Sequence, residues 1–214
     1  MDYNNKPDSY YNNVRQEMVD FMPENAKTIL DIGCGEGTFA GFIKHKFDLE
    51  AWGIEMNTEP AKIAETILDK VLIGACENQI AHLPDNHFDV IYFNDVIEHL
   101  VDPYAVLADI KLKLTDNGVI ITSIPNVRYF RVLKMLIYNK EWKYEKDGVM
   151  DKTHLRFFTS KSIQRMYKDL GFNILSHQGI NKTKSIKPYL YNIPLFFTAM
   201  DMFYIQFATV VNKK

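Results

Sequence analysis

Cysteine is nearly absent from this chain, with only Cys34 and Cys76 among 214 residues. Two cysteines cannot build a disulfide framework, and Cys34 falls inside a glycine-rich turn where a crosslink would compete with a ligand. A reducing cytoplasm is the expected setting. Net charge is also small: a formal −2 and a pI near 6.3 exclude a global electrostatic footprint for nucleic acid or an anionic membrane, although a local basic patch stays open. No apolar run approaches the ~20 residues that a membrane span needs. The longest candidate, 189–211, is interrupted by Pro194, Asp201 and Gln206, and reads as a helix followed by a strand. Its Leu195-Phe196-Phe197 stretch is expected to pack into a core, as aromatic-rich segments usually do, with a lipid-facing role as the alternative. The opening residues from Met1 to Pro7 are polar and lack the apolar core of a signal peptide, so export by that route is not expected. Internal repeats, low-complexity tracts and linkers are missing as well.

What is present is enough apolar material, 47% of residues, for one large core. Strand-like runs at 28–32, 51–55, 70–73, 88–93 and 118–124 alternate with segments of helical spacing, such as Phe39, Phe42 and Ile43, then Ala61, Ala64 and Ile67. That alternation predicts a doubly wound α/β fold whose parallel sheet is covered on both faces. After the fifth run the rhythm changes. A helix is expected over 127–138, a charged aromatic loop over 139–153, and a helix over 161–170 closed by Gly171. Two further strands, at 172–179 and 205–211, flank an insertion at 188–202. The chain reads as a single domain, 1–214.

The first run leads straight into Asp31-Ile32-Gly33-Cys34-Gly35-Glu36-Gly37 and then a helical stretch. A strand, glycine turn and helix start bring backbone N–H groups to the carboxyl edge of a sheet, where a polar ligand is expected. The same pattern also makes an ordinary tight turn. Thr38 stands where a dinucleotide fingerprint puts its third glycine, which disfavours a nicotinamide cofactor. Glu55, at the end of the second run, is placed to accept hydrogen bonds from a ribose.

These residues resemble the class I S-adenosylmethionine-dependent methyltransferase family, whose first motif is acidic-x-Gly-x-Gly-x-Gly and whose second strand ends in an acidic residue. The stretch Asn94-Asp95-Val96-Ile97-Glu98-His99-Leu100 also looks like the family's pattern after the fourth strand. The resemblance implies a Rossmann-like, seven-stranded, mostly parallel sheet with the last strand antiparallel, S-adenosylmethionine as cofactor and S-adenosylhomocysteine as product. It further implies that Glu55 binds the ribose, Met56 packs on the adenine, and Asp31, Gly33, Cys34, Gly35 and Gly37 lie beneath the methionine moiety with Asn94 near its amine. Tyr11 and Arg15, on a helix at 8–22, would close over the cofactor. One departure stands out. Where many relatives carry Gly-Asp after the third strand, this chain has Gly74-Ala75-Cys76-Glu77; either Glu77 or a backbone group of Cys76 replaces the missing carboxylate at the adenine, or the site binds more weakly or has lost its activity.

If the segment after the fourth strand starts as a helix, Asp95, Glu98 and His99 share one face. A plain hydrogen-bonding role for them is the alternative. Their spacing is similar to the acidic-x-x-Glu-His motif of metal-assisted O-methyltransferases of ubiquinone biosynthesis and of small-RNA 3′ ends, and in the latter a distant histidine completes the metal site. His154 stands in a segment resembling that one. A set of Asp95, Glu98, His99 and His154 would suit Mg, Mn or Zn. Without metal, His99 or His154 beside Glu98 would serve as general base. The expected chemistry is in-line attack on the sulfonium methyl with no covalent intermediate, leaving Cys34 as packing or backbone support. The acceptor is expected to be a small molecule, saccharide or lipid-linked intermediate, selected by a substrate-covering insertion at 125–158 that includes Arg128, Arg131, Trp142 and Tyr144. Metal-assisted RNA 2′-O-methylation and a catalytically silent cofactor-binding module are the alternatives. Weak global charge counts against nucleic acid, and nothing in the sequence sets an oligomeric state.

Overall fold

The computed structural model describes residues 15–214. Seven strands form one sheet: β1 (Thr28–Ile32), β2 (Glu50–Glu55), β3 (Lys70–Ile73), β4 (Phe88–Asn94), β5 (Leu114–Pro125), β6 (Phe172–Lys182) and β7 (Tyr204–Lys213). Their order is β3-β2-β1-β4-β5-β7-β6. The first five pair in parallel, and β7 runs antiparallel between β5 and β6.

Strands buried on two faces read as continuous apolar runs, and β4 shows the division. Ile91 and Phe93 join one core with Val106, Leu107 and Ile110 of α5 (Pro103–Ile110) and Ile163, Met166 and Tyr167 of α7 (Ser160–Asp169). Val90 and Tyr92 join the opposite core with Phe39, Ala40 and Ile43 of α2 (Thr38–Phe47) and Met18 and Val19 of α1 (Gln16–Val19). The helix starts are locally encoded. Asp102 accepts from Tyr104 N and Ala105 N with Pro103 at the first helical position of α5, and Thr159 and Ser162 form a reciprocal cap on α7. Gly171 ends α7 at φ +69°, in the left-handed region that favours glycine.

The short helices α3 (Thr58–Ala64) and α4 (Cys76–Gln79) follow β2 and β3. Beyond β5, α6 (Phe130–Ile137) opens the insertion, and α8 (Lys187–Asn192) follows β6. A third cluster joins Tyr129, Phe130, Val132, Val149 and Met150 of the insertion to Ala199, Met202 and Phe203, so the two late excursions share a core of their own.

Three expectations are corrected. The expected N-terminal helix at 8–22 is limited, among the described residues, to the four residues of α1, and Tyr11 lies outside the described residues. No helix carries Asp95, Glu98 and His99 on one face. Asp95 adopts φ +56°, which reverses the chain, and only a 3-10 turn, Ile97–His99, follows. Leu195, Phe196 and Phe197 do not pack into a core: all three are exposed, Phe196 at 87%, because the chain bulges away from the third cluster between Asn192 and Ala199. No described helix is long and apolar enough to cross a membrane.

Candidate active site

The sheet order reverses between β1 and its two neighbours, so the carboxyl ends of β1, β2 and β4 open a crevice at a topological switch point. Its volume is about 500 Å³, within the usual range for small-ligand pockets. Of the residues singled out by sequence, Arg15, Asp31, Gly33, Cys34, Gly35, Glu55, Met56, Cys76, Glu77, Asn94, Asp95 and His99 line it. Gly37 does not. It begins α2 at φ +79° and faces Ala64 and Leu68, where a Cβ would sit 3.2 Å from the Ala64 backbone; its part is helix packing. Glu98 and His154, both buried, are not among the residues that line it.

The floor is built by backbone. Gly33 N and Cys34 N donate to Ile54 O at 2.8 and 3.1 Å, tying the turn to β2. Gly33 has φ +74°, and a Cβ there would lie 2.8 Å from Val96 Cγ2, so only glycine fits. Gly35 N donates to Glu55 Oε2 at 2.9 Å, while Asn57 gives its backbone N–H and its amide to Glu55 Oε1 at 2.8 and 3.0 Å. The ribose-binding candidate is therefore held in place from both sides. Cys34 packs over β2, where a Cβ on Gly53 would meet its Sγ at 2.5 Å. Burial pushes its thiol up, with Asp31 and Glu55 adding to the effect, which removes it as a nucleophile.

Asp31 is buried, and that burial, reinforced by the Glu55 carboxylate, pushes its carboxyl up to about 8. A cation placed against it would favour the charged form. Asn94 Oδ1 is a buried acceptor without a hydrogen-bond partner among the described residues. An ammonium group would satisfy both needs. Arg15 spans the crevice mouth: it ion-pairs with Asp95 and donates to Gln206 Oε1 at 3.0 Å, and the Gln206 amide donates to Asp95 in turn.

Asp95 is thus taken up by Arg15, Gln206 and Ser123. The possible cation ligands that come together are Glu98, His99 and His154, each with a donor atom within 4.8 Å of the others; Asp95 is outside this group, its carboxylate being engaged by Arg15, Gln206 and Ser123. Glu98 Oε1 lies 3.8 Å from His154 Nε2, and the two imidazole centroids are 4.8 Å apart. His99 Nδ1 sits 3.1 Å from Thr153 O and His154 Nδ1 sits 3.0 Å from Val149 O. A carbonyl can only accept, so each Nδ1 carries a proton directed at it, and each Nε2 faces the Glu98 side of the group. The carbonyl of Glu98 accepts from Leu155 N and Arg156 N at 2.9 and 3.0 Å, and Asp151 accepts from Thr153 N and Oγ1 at 2.8 and 2.7 Å. Those bonds fix the 151–156 segment against the 3-10 turn.

A family model described as a methyltransferase domain matches residues 8–177. The chain belongs to that family. The family is S-adenosylmethionine-dependent, and the fold agrees. A methyltransferase structure from Archaeoglobus fulgidus covers 96% of this chain and 93% of its own at a TM-score of 0.70 and 20% identity. One from Thermotoga maritima covers 96% and 89% at 0.65, also at 20% identity. Among curated relatives, an uncharacterized methyltransferase of Schizosaccharomyces pombe is 30% identical over 55% of this chain and 45% of its own length. A ubiquinone biosynthesis O-methyltransferase of Haemophilus ducreyi is 29% identical over 54% and 52%. A phosphoethanolamine N-methyltransferase of Arabidopsis thaliana is 32% identical over 44% and 20%. The chain thus spans about half the length of the first two and a fifth of the third.

The sequence reading missed Asn57 and Gln206. Asn57 carries a faint signal, an amide two residues beyond the acidic strand end. Gln206 carries none, since it reaches the crevice only because β7 inserts beside β5. Nor could sequence show the carbonyls of Val149 and Thr153 that set the histidine tautomers.

Proposed function

We propose that this domain transfers the methyl group of S-adenosylmethionine to an oxygen of a small-molecule, saccharide or lipid-linked acceptor. The observation that carries the cofactor assignment is the Glu55 carboxylate, fixed by Gly35 and Asn57 beside a crevice that also holds Asp31 and Asn94, whose Oδ1 has no hydrogen-bond partner among the described residues. In this reading Glu55 accepts from the ribose hydroxyls, and Met56 covers the adenine, with Cys76 and Glu77 at its edge. Asn94 and Asp31 meet the methionyl ammonium, and Arg15 closes the mouth near the carboxylate. The glycine turn admits the ligand to the backbone. The bound cofactor supplies an electrophilic sulfonium methyl; the protein supplies alignment and a dry site.

The donor set fits a divalent cation held by Glu98, His99 and His154, with ligand types that suit Zn or Mn as well as Mg. Such an ion would lower the pKa of an acceptor hydroxyl. Without it, His99 or His154 beside Glu98 serves as general base. The named activity of the ubiquinone biosynthesis relative supports oxygen as the acceptor atom, whereas that of the Arabidopsis relative makes nitrogen the outcome to exclude. The buried thiols of Cys34 and Cys76 suit a reducing compartment.

The deciding experiment is titration calorimetry with S-adenosylmethionine and S-adenosylhomocysteine, followed by a screen of hydroxyl and amine acceptors by mass spectrometry. Binding of both compounds with methylation of hydroxyls supports the proposal. Absence of binding at millimolar ligand rejects it, binding without turnover favours the silent module, and turnover restricted to RNA favours 2′-O-methylation.

A further inference from the structure

Between Asn192 and Ala199 the chain leaves the third core cluster and returns within six residues, Ile193 to Thr198, all of them exposed. Five are apolar: Ile193, Pro194, Leu195, Phe196 and Phe197. This excursion is built rather than loose. Asn192 is fully buried, and its side chain pins both ends of the bulge: Nδ2 donates to Pro188 O at 2.9 Å and to Ala199 O at 3.2 Å, while Ala199 N donates to Oδ1 at 3.0 Å. Phe197 N closes on Asn192 O at 3.0 Å and Thr198 N on Leu195 O at 3.0 Å. Phe196 and Phe197 both adopt left-handed backbone, φ +50° and +57°, a conformation that bulky residues rarely take. The strain holds two phenyl rings outward, where a chain selected only for solubility would place polar residues.

The neighbourhood is basic. Tyr138, at the end of α6, lies 6.0 Å from Tyr191 of α8 by ring centroids, so the exposed Ile137 and Tyr138 belong to the same face as the exposed Tyr189 and Leu190. Across 126–150 and 180–203 there are nine Lys or Arg against four Asp or Glu, in a chain whose overall charge is −2. Asp201, one of the four, is engaged by Arg128 at 2.5 Å. Arg131, Lys134, Lys143 and Lys187 line a cleft of about 730 Å³ between α6 and the start of α8, against three carboxylates.

We infer that the Ile193–Phe197 bulge and the adjoining end of α6 form a docking surface for an anionic lipid bilayer, with Phe196 and Phe197 entering the interface and the surrounding lysines facing the headgroups. Aromatic residues on an exposed bulge, in a stretch that with 126–150 carries an excess of Lys and Arg, suit a headgroup boundary, and this segment would lie on the membrane without spanning it. Complementary charge selects the lipid: at physiological ionic strength the acidic headgroups attract nearby basic residues. The inference does not depend on methyl transfer.

The test is co-sedimentation of the full chain with vesicles of phosphatidylcholine alone and of phosphatidylcholine mixed with phosphatidylglycerol. The expected result is binding to the mixed vesicles, weakened by salt, and weakened about tenfold or more by Phe196→Ser with Phe197→Ser. Melting temperature and S-adenosylhomocysteine affinity should stay unchanged in that variant, which separates this proposal from the methyltransferase assignment. As a readout independent of that double variant, Phe196→Trp should shift its emission to the blue on mixed vesicles. The inference is overturned if the native chain ignores mixed vesicles, if binding to the two vesicle types is equal, or if the serine variant binds as tightly. It is also overturned if, without vesicles, the chain forms a dimer that the serine variant abolishes and neither binds lipid; the face would then belong to a second copy.

Discussion

Gly35 donates its backbone N–H to Glu55 Oε2 at 2.9 Å, so the glycine turn after β1 and the acidic end of β2 act as one unit. The carboxylate helps to hold the turn, and the turn with Asn57 holds the carboxylate toward the crevice. Substituting Glu55→Gln should therefore weaken S-adenosylmethionine binding by about 10²-fold. Two ribose hydrogen bonds to a charged acceptor are worth about 1.5–3 kcal/mol each, and the amide retains part of that. Calorimetry checks the value, and a change below about threefold would remove Glu55 from the cofactor site.

Asp31 makes cofactor affinity depend on pH. Its carboxyl, held up at about 8 by burial and by Glu55, must ionise to meet an ammonium group, so binding releases a proton below that value. Affinity should rise with pH, by up to about tenfold per unit, until it levels above about 8. Stability of the ligand-free protein runs the other way. The native state keeps a proton that the unfolded carboxyl sheds near its ordinary 3.8, so stability falls as pH climbs between the two values. Asp31→Asn should flatten both profiles and raise the melting temperature at alkaline pH. Calorimetry in buffers of different ionisation enthalpy counts the released proton, and a count of zero would show that Asp31 does not meet the ligand's cation.

Gly33→Ala tests the turn itself. A left-handed backbone at a residue with a side chain costs about 1–2 kcal/mol, and the new Cβ would press on Val96 Cγ2 at 2.8 Å. The expected loss in melting temperature is about 2–8 °C, accompanied by loss of cofactor binding. Adding Val96→Ala should recover part of the stability, because it removes the contact and leaves the backbone strain.

Glu98→Gln and His154→Ala address the buried cluster. If a cation resides there, elemental analysis should find about one Zn, Mn or Mg per native chain and little in either variant, and chelation should lower turnover without touching cofactor affinity. Native protein free of metal and fully active under chelation would leave His99 or His154 as the base.

Much of the sheet was readable because the physics there is local. The runs at 28–32 and 70–73 match β1 and β3 to the residue: β1 is buried almost throughout and reads as an apolar run, while β3 is a short edge strand bounded by Asp69 and Gly74. The reversal at Asp95 was not readable: a single aspartate in the left-handed region is permitted anywhere that tertiary contacts ask for it, and here Arg15, Ser123 and Gln206 do the asking. With that reversal, the expected helical face dissolves and Asp95 parts from Glu98 and His99. Leu195 to Phe197 misled for the opposite reason. Their composition signals a core, whereas the pin at Asn192 decides which side of the cluster they occupy. Of the candidate cofactor residues, those carried by the strand ends and the turns that follow them, Asp31, Gly33, Gly35, Glu55 and Asn94, do line the crevice.

The position of β7 sets the order in which this molecule can be completed during synthesis. It emerges after the sheet's other six strands, yet it lies inside the sheet, and among the described residues β6 pairs with no other strand. A nascent chain can assemble the five parallel strands and the glycine turn early, as domains forming from the N-terminal side do. β6 must wait beside an open edge until β7 arrives. Gln206 arrives with it, so the hydrogen bonds that Gln206 makes with Arg15 and Asp95 form only once β7 is in place, and a chain interrupted before Tyr204 would carry the glycine turn without them.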